Sequence, residues 1–571
     1  MQTSRRGVRA SDLVGRFAGW PLMTLLTVMA CGIARANAQQ PPPVPCTGGD
    51  VPTQAANSGG PPNVPSQPDL VVTGTCTVRP GAANKYYYNN VNILANEKLI
   101  FTETHADKTT AGDEQTDFWV AAIIIEGDGT ATAPNGGAMM AGAATAPYGS
   151  AGNHTGTLTI HLFGADQSKG NPFPPNQGGN GPGQGVLCKS TQTQNMTEPC
   201  GIPWDRWVDN GTKVFTDLPG GVKDYFHQYG PLMGDSLGTP FSARPYTAST
   251  QGYFGYKVLA VSYGGSLDLY GYKGTPAAGT TPANTGAGNS WIRLGADLAV
   301  NATQLTLASA PGDKWQKGDQ IVVSTTDYLP AHYEELTITS ASGTTVNFTP
   351  ATKWAHKGTR YTLPAPSNQY TRLNLNSDLT TNGVEDRASV ALPSRSIRIV
   401  SAGDKVTGVP ANDGFPAAST GYYFGGQAVF RQGFKAVQIQ GVEFALMGEG
   451  GRMGRYPVHF HEARVTPANT FVEDSAVNES MTRWFVIHST QNVLLARNVG
   501  FLSIGHGYYL EDGTEINNQL YSNIGIMARA AVQNAQNPRN VPGILAYAPA
   551  GSSLQYNSDV VNPAVFWITN G

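Results

Sequence analysis

The sequence predicts an all-β fold arranged as a parallel β-helix, and three observations carry that prediction. Short runs of β-branched and aromatic residues recur along the chain, separated by turn residues. No amphipathic helix of useful length interrupts them. Chemically similar motifs also recur at coil-length spacing: His461 to His488 is 27 residues and His488 to Glu511 is 23. Strands from successive coils of a β-helix stack in register about 4.8 Å apart, so residues separated by one coil become neighbours.

Composition agrees with this class. Only 13% of residues are charged, against 68 glycines and 39 prolines. That balance fits an extracellular all-β chain rich in turns, and it excludes a helical or a disordered one. Residues 1–38 read as a signal peptide. Arg5, Arg6, Arg9 and Arg16 precede an apolar run, Trp20 to Ile33, too short to span a bilayer comfortably, and Ala36-Asn37-Ala38 forms a small-x-small cleavage site. Ser4-Arg5-Arg6 and Cys31 leave twin-arginine export and lipidation as alternatives. Cleavage lowers the formal charge from -3 to about -7 and removes Cys31, leaving four cysteines. An exported chain with Cys46, Cys76, Cys188 and Cys200 is expected to pair them as Cys46–Cys76 and Cys188–Cys200, the partners nearest in sequence. No membrane span is expected in the mature chain. There is no basic stripe with interleaved aromatics, which argues against a nucleic-acid partner.

Residues 39–84 are rich in Pro, Gly, Ser and Gln and read as a linker. Residues 85–290 carry strand-like runs such as Val91–Ala95, Lys98–Phe101, Trp119–Ile125 and Leu158–Phe163, then a Gly/Pro/Asn-rich excursion from Ala165 to Trp204. Residues 291–395 form a β-rich connecting region, with runs at Ile321–Ser324, Leu336–Thr339 and Thr345–Phe348. Residues 396–571 carry the β-helix rhythm itself. The sequence stops at Gly571 just after an apolar run, where a polar cap is expected, and so reads as truncated.

Four of the ten histidines lie between Gly454 and Gly513, in G-R-Y-P-V-H-F-H, V-I-H-S and G-H-G-Y-Y-L-E-D-G. Coil spacing places Phe460, Ile487 and Leu510 inward and stacks His461, His488 and Glu511 outward. Period-two alternation adds His459 to the same face. His459, His461 and His488 are therefore the expected ligands of a divalent metal ion, with His461, His488 and Glu511 as the alternative set. Such ligands suit a zinc-like ion better than calcium, which prefers oxygen. The expected catalytic residues are Glu511, Asp512, His506 and Arg455. Glu511 and Asp512 are adjacent, so they share a face only if the strand ends between them; otherwise Glu462 or Asp474 is the better partner for Glu511. Arg483, Tyr508 and Tyr509 are further candidates for a lyase-type proton transfer. Each residue also has a plainer reading. His488 alone fits a structural ladder, His506 fits a buried hydrogen-bonded position, and Glu511-Asp512-Gly513 fits a turn.

These segments resemble bacterial relatives of the cell migration-inducing and hyaluronan-binding protein and its transmembrane paralogue. Trp315–Tyr328 with Glu334-Glu335 is similar to the family's W-x-x-G-D-x-I-x-V-x-S-T-D-Y and E-E. Glu385–Ile397 is similar to its D-x-R-A-E-V segment, and the two histidine strings are similar to its most distinctive ones. Val91–Ile125 resembles the start of its eight-glycine domain, and Val565–Asn570 a later string. The resemblance implies an N-terminal eight-glycine β domain with a long insertion (85–290), followed by a right-handed parallel β-helix. It also implies hyaluronan binding, with depolymerisation in some members, and calcium as relevant. Where relatives often have Gly-Gly-His, this chain has Gly425-Gly426-Gln427. Asp327-Tyr328, Glu334-Glu335 and Arg387 are expected to be structural. The functional expectation is a secreted, periplasmic or cell-surface monomer that acts on an extracellular polysaccharide, as a glycosidase or a lyase. The alternative is a non-catalytic carbohydrate-binding or adhesion scaffold.

Overall fold

A computed structural model describes residues 41–56, 67–81, 84–103, 115–125, 136–151, 156–163, 217–218, 222–223, 257–262, 264–276, 289–362, 383–401, 425–431, 433–448, 454–529 and 563–569. The expected signal peptide, Cys188 and Cys200 lie outside them. The described chain is a parallel β-helix with an antiparallel sheet inserted in it. No helix among the described residues is long and apolar enough to cross a membrane.

Each complete coil has three strands. One coil runs Val458–Val465, Phe471–Glu473, Ala476–Asn478; the next runs Phe485–Gln491, Leu494–Ala496, Val499–Ile504; a third runs Tyr508–Leu510, Gln519–Tyr521, Ile524–Arg529. Equivalent strands pair parallel from coil to coil, as in Phe430↔Phe460, Phe460↔Ile487 and Ile487↔Leu510. The first and third faces merge into one sheet because the long strand Gln115–Ile125 pairs with Thr157–Leu162 along its first half and with Val258–Val261 along its second.

Two features depart from the expected domain plan. Residues 39–84 were expected as a linker, yet Val44–Cys46, Gly49–Asp50, Leu70–Val72 and Thr75–Val78 are strands that stack on later coils. Val44↔Leu70 and Leu70↔Val91 continue the first face, and Cys46, Val51, Leu70, Val72 and Val78 are buried in the main core. The abundant Pro and Gly here shape turns between short strands. Cys46 and Cys76 are disulfide-bonded, 30 residues apart. Apart from a separate antiparallel pair, Asp217–Leu218 with Val222–Lys223, the described strands between 85 and 270 likewise belong to the same solenoid sheets as the later coils: Val258–Val261 pairs directly with Gln427–Phe430.

The region 291–395 is built differently. Its six strands form a separate, antiparallel sheet between Ser266–Tyr270 and Ile397–Ser401, with its own core around Trp315, Ile321, Leu336, Val346 and Phe348. Specific contacts tie it to the solenoid. Trp291 Nε1 donates to Ser522 O at 2.7 Å, Asn478 Nδ2 donates to Gln320 Oε1 at 3.1 Å, and the Tyr333 and Phe501 rings meet edge to face at 5.4 Å.

Of the residues expected to be structural, Glu334, Arg387 and Asp327 have local partners, whereas Tyr328 is fully exposed. Glu334 is buried and accepts the Lys353 and Trp354 N–H groups. Arg387 holds Glu385 through two hydrogen bonds, at 2.7 and 2.6 Å. Asp327 binds His332 Nδ1 at 2.6 Å.

Candidate metal centre

Pleating and coil spacing position the histidines. On the first face Val429, His459, Val486, Tyr509 and Trp567 form one outward column, and Arg431, His461 and His488 form the next. Phe430, Phe460 and Ile487, between these columns in sequence, face inward and are fully buried. Leu510 continues their register but is only half-buried. Directly after His461 the strand is bulged, and Glu462 and Arg464 take left-handed backbone at φ 47° and 60°. One coil on, Ser489 does the same at φ 44°. Such irregularities bend the strand and re-aim the side chains beside them.

The ligand nitrogens of His459, His461 and His488 all lie within 4.8 Å of one another. His461 Nδ1 and His488 Nδ1 are 3.1 Å apart. His459 is fully buried, with its Nδ1 3.2 Å from the Gly454 carbonyl. A carbonyl only accepts, so the proton sits on Nδ1 and Nε2 keeps its lone pair. Nε2 is buried and makes no hydrogen bond among the described residues. Burial, chiefly, holds the His459 and His461 pKa values well below the usual imidazole range; neighbouring imidazoles and the guanidiniums of Arg431, Arg455 and Arg483 add to it. Both rings are therefore neutral at pH 7, the form that coordinates metals. Arg483 is itself fixed between the rings of Tyr456 (4.8 Å) and Tyr509 (3.9 Å).

The two adjacent carboxylates both reach His488, because the strand ends at Leu510, before either of them. Glu511 Oε2 lies 3.8 Å from His488 Nδ1, and Glu511 Oε1 accepts from Tyr456 Oη at 3.4 Å. Asp512 Oδ2 lies 3.5 Å from His488 Nε2 on the other edge of the ring and also accepts from Ser489 Oγ. Asp512 Oδ1 accepts the Thr514 N–H at 3.0 Å and hydroxyl at 2.7 Å. Burial raises the Asp512 pKa, but contacts with Glu515, Ser489 and Thr514 outweigh it and hold the carboxyl well below its usual range.

Several expected residues take other places. His506 is fully buried, stacked on Trp567 at 4.2 Å, and its Nδ1 accepts the Ala564 N–H at 2.9 Å. That arrangement matches the structural alternative for His506, with the ring withdrawn from solvent. Asp474 is buried in an ion pair with Arg497 at 2.7 Å, so it is not a partner for Glu511. Tyr508 faces the core, where its hydroxyl lies 3.0 Å from the carbonyls of Asn498 and Ile524. Glu462 sits in the bulge itself and lies 3.6 Å from Arg464. Gln427 is buried opposite Val258, two residues before the histidine column begins at Val429. Tyr456, Arg431, Ser489, Thr514 and Glu515 were not singled out from the sequence. Arg431 was legible in principle, one coil before His461.

The residues present fit a transition-metal ion. Zn–N bonds of about 2.0–2.1 Å at tetrahedral angles put ligand nitrogens about 3.3 Å apart, close to the His461–His488 separation. A ligating histidine characteristically gives its other N–H to a carbonyl or carboxylate. Gly454 O fills that role for His459, and Asp512 is placed to fill it for His488. Three nitrogens with two carboxylates beside one of the rings do not make the oxygen-rich shell that calcium needs.

Comparison with known proteins agrees with the fold and motifs. The CEMIP beta-helix family model matches residues 423–571. The G8 domain-containing protein DDB_G0286311 of Dictyostelium discoideum is 30% identical over 326 residues, which is 56% of this chain and 18% of that protein. Communication mutant protein F of the same organism is 27% identical over 326 residues, 56% of this chain and 24% of that protein. The cell surface hyaluronidase CEMIP2 of Homo sapiens is 30% identical over 221 residues, 38% of this chain and 14% of that protein. The chain thus spans about a quarter or less of the length of these relatives. Among solved structures, the Pseudomonas phage phi297 tailspike gp61 is 12% identical over 41% of this chain and 34% of that chain, with a TM-score of 0.15, too low to carry an argument. Over residues 423–571 the chain is thus similar to the CEMIP β-helix family, and its relatives include G8 domain-containing proteins.

Proposed function

We propose that this chain is an exported, polysaccharide-active protein that depolymerises a hyaluronan-like or other uronate- or amino-sugar-containing polymer with the help of a divalent metal ion. One observation carries the reading: the fully buried Nε2 of His459, without a hydrogen bond among the described residues, beside the His461 and His488 nitrogens. A lone pair withdrawn from water without a hydrogen bond is costly unless something else satisfies it. The name of the human relative, a cell surface hyaluronidase, supports the substrate class.

His459, His461 and His488 would hold the ion, and the ion would supply Lewis-acid polarisation of a substrate oxygen or carboxylate. Glu511, against Tyr456 Oη and His488, is the group placed to take or give a proton. Arg455 stands on the strand approach beside the histidines, where its charge can meet a uronate. Asp512 is engaged by Ser489 and Thr514 and serves His488 instead of substrate. A two-carboxylate hydrolysis therefore has less support than chemistry with a single acid–base group.

The test is incubation of the mature protein with hyaluronan, chondroitin and alginate, with and without EDTA. Chain shortening abolished by EDTA is the expected outcome. New ultraviolet absorbance from unsaturated uronate ends identifies a lyase, and shortening without it a hydrolase. Unshortened polymer in the presence of bound metal refutes the proposal.

A second reading, a non-catalytic carbohydrate-binding scaffold, is favoured by how closed the centre is. His459 and Tyr456 are fully buried, and the Tyr456 and Tyr509 rings flank Arg483. Retained glycan binding with no shortening, in protein that holds no metal, selects it.

A further inference from the structure

We infer that Glu515 is the positioning residue of the candidate centre: its carboxylate clamps two successive coils together so that Asp512 meets His488. The inference rests on the reading of His459, His461 and His488 as one site, but not on which ion or polymer that site takes.

Among the described residues, Glu515 hydrogen-bonds to main chain and not to an imidazole. Its Oε1 accepts two backbone N–H groups, from Ser489 at 2.9 Å and Asp512 at 3.1 Å. Its Oε2 accepts a third, from Gly513 at 2.8 Å. Ser489 immediately follows His488 and Asp512 immediately follows Glu511, so one carboxylate grips the main chain just past both site residues, 26 positions back along the sequence in the case of Ser489. The backbone presents these N–H groups in an unusual way. Ser489 and Gly513 both have left-handed φ, 44° and 82°, so the chain leaves regular strand pairing on each coil, and the Glu515 carboxylate takes up donors the ladder has given up.

The consequence falls on Asp512. With its own N–H held by Glu515, its Oδ1 is fixed by Thr514 and its Oδ2 by Ser489 Oγ. Thr514 Oγ1 also lies 3.3 Å from Ser489 Oγ, which closes the network. Both carboxylate oxygens are thus oriented, and Oδ2 is left 3.5 Å from His488 Nε2. This acceptor is nearer to Nε2 than Glu511 Oε2 is to Nδ1 (3.8 Å), which would favour the His488 proton on Nε2 and leave the Nδ1 lone pair facing His461 Nδ1. A residue that supports a ligating histidine in this way typically contributes 10–100-fold in metal affinity. Glu515 would act on the His488 ring through Asp512.

The experiment compares wild type with Glu515→Ala, Glu515→Gln, Asp512→Asn and the Glu515→Ala/Asp512→Asn double variant in the full chain, using two readouts. The first is the tautomer of His488 in metal-free protein at pH 7.5, from nitrogen chemical shifts of 15N-histidine-labelled material, with His488→Ala assigning the signal. Wild type should show the proton on Nε2. Glu515→Ala and Asp512→Asn should both shift the population toward Nδ1, and Glu515→Gln, which keeps one acceptor oxygen, should fall between. The second is Zn2+ affinity by competition with a chromogenic chelator: Glu515→Ala and Asp512→Asn should each weaken binding about 10–100-fold, and the double variant should be no weaker than the worse single one. A wild-type His488 signal in Glu515→Ala overturns the inference. So does a double variant whose losses simply multiply, because two residues acting through one contact cannot add. Failure of wild type to bind Zn2+ refutes the metal reading separately, and the tautomer readout still decides the role of Glu515.

Discussion

His461 and His488 are 27 residues apart in sequence, and their Nδ1 atoms are 3.1 Å apart in the fold. Parallel pairing of Val458–Val465 with Phe485–Gln491 makes them direct neighbours on one outward face, with the core ladder Phe460–Ile487 behind them. An imidazole pair built this way is held by the solenoid, so removing either ring leaves the core intact.

Substituting the ligands should therefore separate metal loss from fold loss. His461→Ala and His488→Ala are each expected to lower bound zinc from about one ion per chain to background, by elemental analysis after dialysis. Their melting temperatures should stay near that of metal-free wild type. Stoichiometric zinc in the double variant would remove the candidate centre.

Glu479 gives a pH signature far from those ligands. Burial, with repulsion from Glu335 and Glu443, outweighs the attraction of Arg529 and pushes its pKa from 4.5 up to about 7. A carboxyl raised in the folded state binds more protons folded than unfolded between those values. Its contribution to stability is therefore fully present below pH 4.5 and is lost as pH rises through 7. Glu479→Gln should match wild type in melting temperature at pH 4.5 and exceed it at pH 8. An equal difference at the two pH values contradicts this account.

Arg395 is a buried joint between the inserted sheet and the solenoid. Its Nε donates to Asp474 O at 2.7 Å, Nη1 to the carbonyls of Leu392 and Ser394, and Nη2 to Ser290 Oγ at 3.1 Å. Burial draws its pKa down to about 10, against the opposing pull of Asp474, Glu443 and Asp319, so it stays charged at pH 7. Arg395→Ala orphans these acceptors and should cost about 3–5 kcal/mol in denaturant unfolding. Arg395→Lys should recover little of it, lacking the planar fork. A loss under about 1 kcal/mol would mean that water replaces the guanidinium without penalty.

Gly500 is required by the approach of an indole ring. A Cβ there would fall 2.2 Å from the fully buried Trp484 side chain. Gly500→Ala must displace Trp484 or the strand, and about 1–3 kcal/mol of destabilisation is expected. A changed near-ultraviolet circular dichroism signal should accompany it. An unchanged signal at unchanged stability would place the ring elsewhere.

The sequence alone determined the repeating strand class, the inward ladder of Phe460 and Ile487, the outward histidines and the Cys46–Cys76 pair. All of these follow from alternation along a strand or from proximity along the chain. Local composition misled at residues 39–84, because Pro and Gly mark turns between stacked strands as readily as they mark linkers. Only the tertiary structure separated Glu511 from Asp512, put His506 behind Trp567, tied Asp474 to Arg497 and brought Glu515 to Ser489. Which groups a side chain can reach depends on where a strand ends and on what the next coil offers there. Residues a whole coil away fix that, and periodicity says nothing about them.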